Sequence, residues 1–281
     1  MEPKKIQNWR PSIIDTSEQW YLGGEKCIET DELVPDGQWM KWFPAGERQN
    51  KNGLETNNCT NYSLLNCIEA IGRKKYGIEF QSNLSERERG IRSSTQPNGN
   101  TLQNVCECLR KQGTIPEAFL AFDNTIDSWG EYYSPNPIPF SLWKVSESWR
   151  TKYKYAHDWA ILPSDTLEER QRKMKEALKY SPLTVAGHAW TRRGDGLYYS
   201  DGEVNHAFDI AGYMDGKYWI AIDSYPDEKG SFEKRLAWNY HFREAKRHSL
   251  EKNVSGVLEN KSNRTGYVKY LISWYLWDLL R

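Results

Sequence analysis

With 281 residues the chain is long enough for one large domain or for two lobes packed together. Lysine plus arginine equals aspartate plus glutamate at 38 each, a balance that excludes a dominant basic surface for nucleic acid or anionic membrane. Thirteen tryptophans and seventeen tyrosines suggest amphipathic aromatics lining a cleft rather than a greasy interior.

Residues 1–45 are polar, punctuated by tryptophan and weakly periodic, with turns at Gly23-Gly24 and Pro35-Asp36-Gly37, and read as an arm packed on the surface. The first fifteen residues hold no apolar run of secretory type. Five cysteines are an odd number, and with no signal this predicts a reducing, cytoplasmic compartment. Gly46 to Asn58 carries almost nothing apolar and reads as an exposed loop. From Cys59 the pattern changes: Leu64, Leu65, Ile68 and Ile71 recur at helical spacing, with Gly72 as the expected stop. Cys59 then lies at the amino end of a buried helix, where unsatisfied N–H groups and the helix dipole favour negative charge on sulfur. A helix-start cysteine without chemical work fits the same pattern. Cys67 reads as a small core residue.

Leu84-Ser85-Glu86 opens a short polar turn or helix, and Asn100-Thr101-Leu102-Gln103 caps another, with Leu102, Val105, Cys106 and Leu109 as its apolar face and Gly113 as its end. Cys108 falls on the outer side. No Cys-x-x-Cys or His-x-x-x-His spacing occurs, so no metal is expected. The aromatic, proline-rich stretch Phe119 to Trp159 reads as extended chain crossing between lobes. Thr166-Leu-Glu-Glu169 is a capping-box start for a helix to about Tyr180. Ser181 to Ala186 begins a strand that leads to His188 and Trp190. Val204 to Tyr225 holds two apolar runs joined by Asp215-Gly216, a β-hairpin. It places His206 at the start of one strand and Asp223 near the end of its antiparallel neighbour. An imidazole held by a carboxylate is the orienting half of a nucleophilic triad, although a lone strand histidine is more often structural than catalytic. Arg235 to Arg243 reads as one more strand. In the tail, Val268, Leu271, Ile272, Tyr275 and Leu279 follow an amphipathic helix that packs on its own domain, docks on a partner or lies on a membrane surface. Tyr267 to Leu280 carries Lys269 and Asp278 and is too short to span a bilayer.

Taken in order, Cys59 at a helix start, His206 opening a strand 147 residues later and Asp223-Ser224-Tyr225 closing the next resemble the papain-like cysteine protease family. The similarity runs from about residue 46 to 245. Ser181-Pro-Leu-Thr-Val-Ala looks like that family's Gly-Pro-Val-Ser-Val-Ala, Val204-Asn-His-Ala-Phe like its Asn-His-Ala-Val, and Tyr218-Trp-Ile-Ala-Ile-Asp-Ser-Tyr like its Tyr-Trp-Leu-Val-Lys-Asn-Ser-Trp. The resemblance implies an α+β, two-lobe fold: a helical lobe, 46–150, carrying the nucleophile, and an antiparallel β-barrel lobe, 151–248, carrying the histidine and the acid. A cleft lies between them, with an arm, 1–45, and a tail, 249–281, outside the match.

It further implies Cys59 as nucleophile, His206 as the base that later acts as acid, and Asp223 as the orienting group where the family has asparagine. A carboxylate holds an imidazolium at least as firmly. Six residues before Cys59, where the family has its oxyanion glutamine, stands Gly53. The second oxyanion donor is then Gln49, Asn57 or Asn58, beside the backbone N–H of Cys59. Trp143, Trp190 and Trp238 are the candidate cleft walls. The family's glycine-rich surround of the nucleophile is replaced by Asn58-Cys59-Thr60, its disulfide cysteines are missing, and no long pro-segment precedes Cys59, which leaves regulation to the arm if there is any. The implied activity is that of a cysteine endopeptidase cleaving a protein or peptide substrate through a thioester acyl-enzyme, without cofactors. A transglutaminase-like acyl transferase uses the same order of residues, and an inactive papain-fold binding or structural protein would retain part of it. Short members without a signal occur in bacteria and bacteriophages, so a phage particle or infected host cytoplasm is the alternative location.

Overall fold

The computed structural model describes residues 9–13, 31–80 and 83–253. The longest helix among the described residues, α1 (Cys59–Tyr76), forms because the apolar stripe from Leu64 to Ile71 finds a surface to bury against, and Gly77 ends it at a φ of +57°. Gly72, the expected stop, lies inside the helix instead. Its missing side chain admits the Phe80 ring, since a Cβ there would sit 2.2 Å from a ring carbon. Four short helices follow: α2 (Glu86–Arg92), α3 (Leu102–Gln112), α4 (Trp129–Tyr132) and, longer, α5 (Phe140–Lys152). The Ser85 and Thr101 side chains cap α2 and α3 by accepting backbone N–H bonds from Glu88 and Asn104.

The stretch expected to be extended from Phe119 to Trp159 therefore contains helix. Between α4 and α5, prolines 135, 137 and 139 hold the chain out of helix, and Pro139 directly precedes the first turn of α5. Cys108 also differs from expectation. It is buried, because the wholly buried Arg89 guanidinium reaches its sulfur at 2.7 Å.

A short ribbon, β1 (Asn50–Lys51) and β2 (Leu54–Glu55), precedes α1. The remaining strands are β3 (Tyr153–Trp159), β4 (Leu183–Gly187), β5 (Thr191–Arg192), β6 (Tyr198–Tyr199), β7 (His206–Met214), β8 (Tyr218–Ile222), β9 (Glu233–Ala237) and β10 (Glu244–Lys252). They form one eight-stranded sheet in the order β3-β10-β4-β7-β8-β9-β6-β5, antiparallel throughout except for the β6–β9 pair. No β3–β5 pairing closes this sheet into a barrel among the described residues. Helix α6 (Leu167–Leu178) opens on the expected capping box of Thr166 and Glu169. The strand expected from Arg235 to Arg243 ends at Ala237 with β9, and the rest of that stretch is a turn that buries Tyr240 and Phe242 and leads into β10.

One hydrophobic cluster joins Leu64, Ile68 and Ile71 of α1, Val105 and Leu109 of α3, and Val185, Phe208, Ile210 and Trp219 of the sheet. This packing of α1 on the sheet carries the first residue of the helix to the start of β7. Part of the expected surface arm is built into the same core: Val34 and Trp39 are buried, and the Trp39 indole donates to the Leu178 carbonyl at 2.6 Å. The amphipathic-tail expectation, apart from the end of β10, falls on residues 254–281, outside those described. No described helix is long and apolar enough to cross a membrane.

Burial of Glu69 on α1 carries a stability consequence. Its carboxyl, which accepts from the Leu84 N–H and pairs with Arg73, is pushed up to about 8 chiefly by burial. The folded chain thus holds that proton more tightly than the unfolded chain does, and stability falls as pH rises from the ordinary carboxyl range towards 8. Glu69→Gln is expected to flatten this loss, gaining about 2 kcal/mol over wild type between about pH 5 and 8, read by denaturant melts at both values. A variant curve parallel to wild type would place the pH dependence elsewhere.

Candidate active site

Cys59 is the first residue of α1 and has no solvent exposure. His206, the first residue of β7, pairs in register with Gly187 of β4 and is equally buried. Asp223 follows directly on β8, whose antiparallel pairing with β7 brings its carboxylate back to the imidazole. His206 Nε2 and Asp223 Oδ1 are 2.6 Å apart. Nδ1, the other ring nitrogen, has no nitrogen or oxygen partner and faces the Cys59 side. Burial alone would lower the imidazole pKa. The Asp223 carboxylate and then Cys59 outweigh it and raise His206 to about 10. Asp223 is itself held below the usual carboxylate range. Burial opposes this, and the Lys234 ammonium, 2.8 Å from Oδ2, and His206 overcome it.

Three aromatic rings fix the imidazole, one of them Phe208, stacked on it at 6.0 Å. Trp190 packs edge-on at 5.8 Å, and Tyr225 lies 5.3 Å away on another side. Of the three tryptophans expected on a cleft wall, Trp190 is the one beside His206. Trp143 is half-exposed on α5 and stacks on Phe140. Trp238 stacks on Trp219 at 4.6 Å and lines a shallow groove with Glu168, Gln171 and Lys175.

The amides expected to complete an oxyanion hole are all engaged. Asn58, buried at the amino end of α1, donates to the Glu86 carbonyl and the Tyr132 hydroxyl, and its own oxygen accepts from Asn61 and Thr95. It ties α1 to α2. Asn57, at a φ of +55°, donates its side-chain amide to the Pro97 carbonyl and its backbone N–H to Glu55. Gln49 is buried and donates to Glu55 Oε1 and to the Tyr225 hydroxyl, each at 2.7 Å, while its oxygen accepts from Ser224. The Tyr225 hydroxyl in turn donates to Glu55 Oε2 at 2.5 Å. Through Tyr225, Gln49 is the one of the three amides linked to the histidine.

Glu55, Lys234 and Trp9, which sequence reasoning passed over, belong to this site, as does Tyr225 of the matched Asp-Ser-Tyr run. Glu55 and Tyr225 come together only through loop geometry. Lys234 sits at an inward position of β9, in phase with Leu236 and opposite Ala221, a signal that strand alternation does carry. Trp9 packs against the small cluster of Cys59, Leu102, Ala186 and Ala207. Its segment is held by a bond from the Arg10 N–H to the Asn100 carbonyl and by Ser12, which donates to Glu244 through both its N–H and its hydroxyl.

Away from this site, Glu47, Glu86 and Glu117 bring one carboxylate oxygen each within 4.8 Å of one another, the one such group among the described residues. Asn83 donates to Glu47 and Glu117, and burial raises Glu86 far above the usual carboxylate range.

No protein-family model matches the chain, and no curated protein matches it. Solved structures do. Xylellain, a cysteine protease from Xylella fastidiosa, superposes with a TM-score of 0.56 at 13% identity, covering 90% of this chain and 99% of that one. The cysteine protease and lectin-like domains of a surface layer associated protein from Clostridium difficile give 0.54 at 14% identity, covering 77% of this chain and 51% of that one. Bromelain from Ananas comosus gives 0.50 at 20% identity, with 76% and 98% covered. The chain has the α+β, papain-like fold of these cysteine proteases.

Proposed function

We propose that the protein is a cysteine peptidase in which Cys59 attacks a peptide carbonyl, His206 moves the protons and Asp223 orients the imidazole. One observation carries the reading: a buried imidazole bonded through Nε2 to a carboxylate, with its other nitrogen turned towards the helix-start sulfur. In the acylation step sulfur bonds to the carbonyl carbon, the imidazolium gives its proton to the leaving amine, and a thioester remains. Water, deprotonated by the same imidazole, then releases the acid. The backbone N–H of Cys59 at the helix end faces the developing oxyanion. Gln49 joins it by exchanging its bond to Tyr225 or Glu55 for the substrate oxygen.

The test is modification by an epoxide of the E-64 type or by iodoacetamide at neutral pH. Cys59 should react ahead of Cys67 and Cys106, whose thiols burial raises. Modification of unfolded chain only would sink the reading and favour the second one, a papain-fold binding protein. The observation behind that second reading is the closure of the site, with Cys59 and His206 both fully buried.

The same closure yields an expected result for the segment carrying Trp9. Trp9→Ala removes one of the two side chains, with Val204, that pack against the Cys59 cluster, leaves Ser12 on Glu244, and should speed alkylation of Cys59 about tenfold by making local opening easier. Equal rates in wild type and variant would show that access runs by another route.

A further inference from the structure

Asp223 occupies the place of an orienting amide, and a bare carboxylate there poses a problem. Buried beside an imidazole in a medium of low dielectric, it would grip the imidazolium so firmly that proton transfer to a leaving amine becomes difficult. We propose that Lys234 is a positioning residue of this site, whose ammonium neutralises the outer oxygen of Asp223 so that the pair orients His206 with the net charge of an amide. This rests on the peptidase reading above.

The geometry is specific. Asp223 divides its oxygens, Oδ1 to His206 at 2.6 Å and Oδ2 to Lys234 at 2.8 Å, and the two paired side chains, Lys234 and Asp223, are 3% and 0% exposed. Lys234 reaches Asp223 because Lys234 pairs in register with Ala221, two residues before it, and the Asp223 N–H bonds to the Phe232 carbonyl two residues before Lys234. The ammonium also donates to the Tyr225 carbonyl and lies 5.2 Å over the Trp190 ring. It therefore touches the acid and two of the three aromatic residues that flank the imidazole, Tyr225 and Trp190. A lysine this deeply buried is costly unless paired, and here the pairing falls on the one carboxylate that meets His206.

The other titratable and charged groups facing the pair are Cys59 of α1, Asp209 of β7, Tyr225 and Asp227 after β8, Tyr198 of β6 and Tyr240 after β9, with Arg192 of β5 facing Asp227. Among the described residues, Lys234 and His206 are the cationic groups bonded to Asp223.

The experiment uses Lys234→Met, Lys234→Arg and the double variant Asp223→Asn/Lys234→Met, with two readouts. The first is the NMR titration of His206 in a Cys59→Ala background, which needs no activity and removes the influence of the sulfur. Lys234→Met should move the midpoint up by about one pH unit, Lys234→Arg should keep the wild-type midpoint, and the double variant should bring the midpoint back to wild type or below. The second is kcat and KM on a peptide pool with Cys59 intact. Lys234→Met should lower kcat about 10- to 100-fold with KM little changed, and adding Asp223→Asn should recover at least about tenfold of it, a coupling that two independent losses would not give.

A lysine serving only as a strut would leave the midpoint unmoved and the double variant no better than Lys234→Met, and either outcome overturns the proposal. Should Lys234→Met not fold, a folded and active double variant supports the proposal and an unfolded or inactive one overturns it. A midpoint shifted by Lys234→Met, together with a wild-type chain that hydrolyses nothing, would sink the peptidase reading and leave the ion-pair role standing.

Discussion

Peptide hydrolysis is expected to fall by about four to six orders of magnitude in Cys59→Ser and in His206→Ala, with the double variant scarcely worse than either. The non-additivity is the informative part. If sulfur and imidazole act as one unit, removing either leaves the other without work, so the second deletion costs almost nothing. A hydroxyl at position 59 keeps the size and the helix-start position but is far less nucleophilic than a thiolate. Both side chains are buried, so melts run alongside the kinetics separate lost chemistry from lost folding. Independent, additive losses in the two single variants would mean that Cys59 and His206 do not share one reaction coordinate.

The second large effect is expected at Asp223→Ala. It leaves two cationic partners, the His206 imidazolium and Lys234, buried without their common anion, at a cost of about 3–5 kcal/mol. It should also change the shape of the stability curve. Since His206 is raised in the folded protein, its contribution is fully present below the ordinary histidine range and is lost as pH rises through about 10. Asp223, held low, contributes above the ordinary carboxylate range, and that contribution is lost only as pH falls below it. Wild type should therefore show a broad plateau between these limits, declining on the alkaline side, and Asp223→Ala should lie lower and flatter. Hydrolysis should drop about 10³- to 10⁴-fold, because an unanchored imidazole loses both its tautomer and its aim. A variant as stable as wild type across that range would show that the carboxylate is not paired as described.

What could be read in the sequence follows from the range of the forces involved. Cys59 and the stripe behind it, and His206 and Asp223 on their hairpin, are set by local periodicity and a turn, and the structure places each on the expected element. Which of the aromatic residues approach the histidine is decided by how distant segments pack. An indole's chemistry suits a cleft, a groove or a core equally, so Trp190 and Trp238 were indistinguishable beforehand. Arg89 took Cys108 inward through a contact across nineteen positions that no spacing rule encodes. Lys234 was legible in principle, since it alternates with outward Glu233 and Arg235 and so points a charge into the interior. Such a breach of the apolar pattern is the usual mark of a side chain that is needed where it lies.

The packing of Trp9 and Val204 against the cluster that holds Cys59 also bears on the chemical survival of the resting protein. A sulfur with no contact with water is beyond the reach of peroxide as well as of peptide, so the path from thiol to sulfenic and sulfinic acid stays closed while the cover holds. If the chain acts as the proposed peptidase, durability in an oxidising environment and readiness to cleave are thus opposed in it, and Trp9, with Val204, is among the side chains that set the balance.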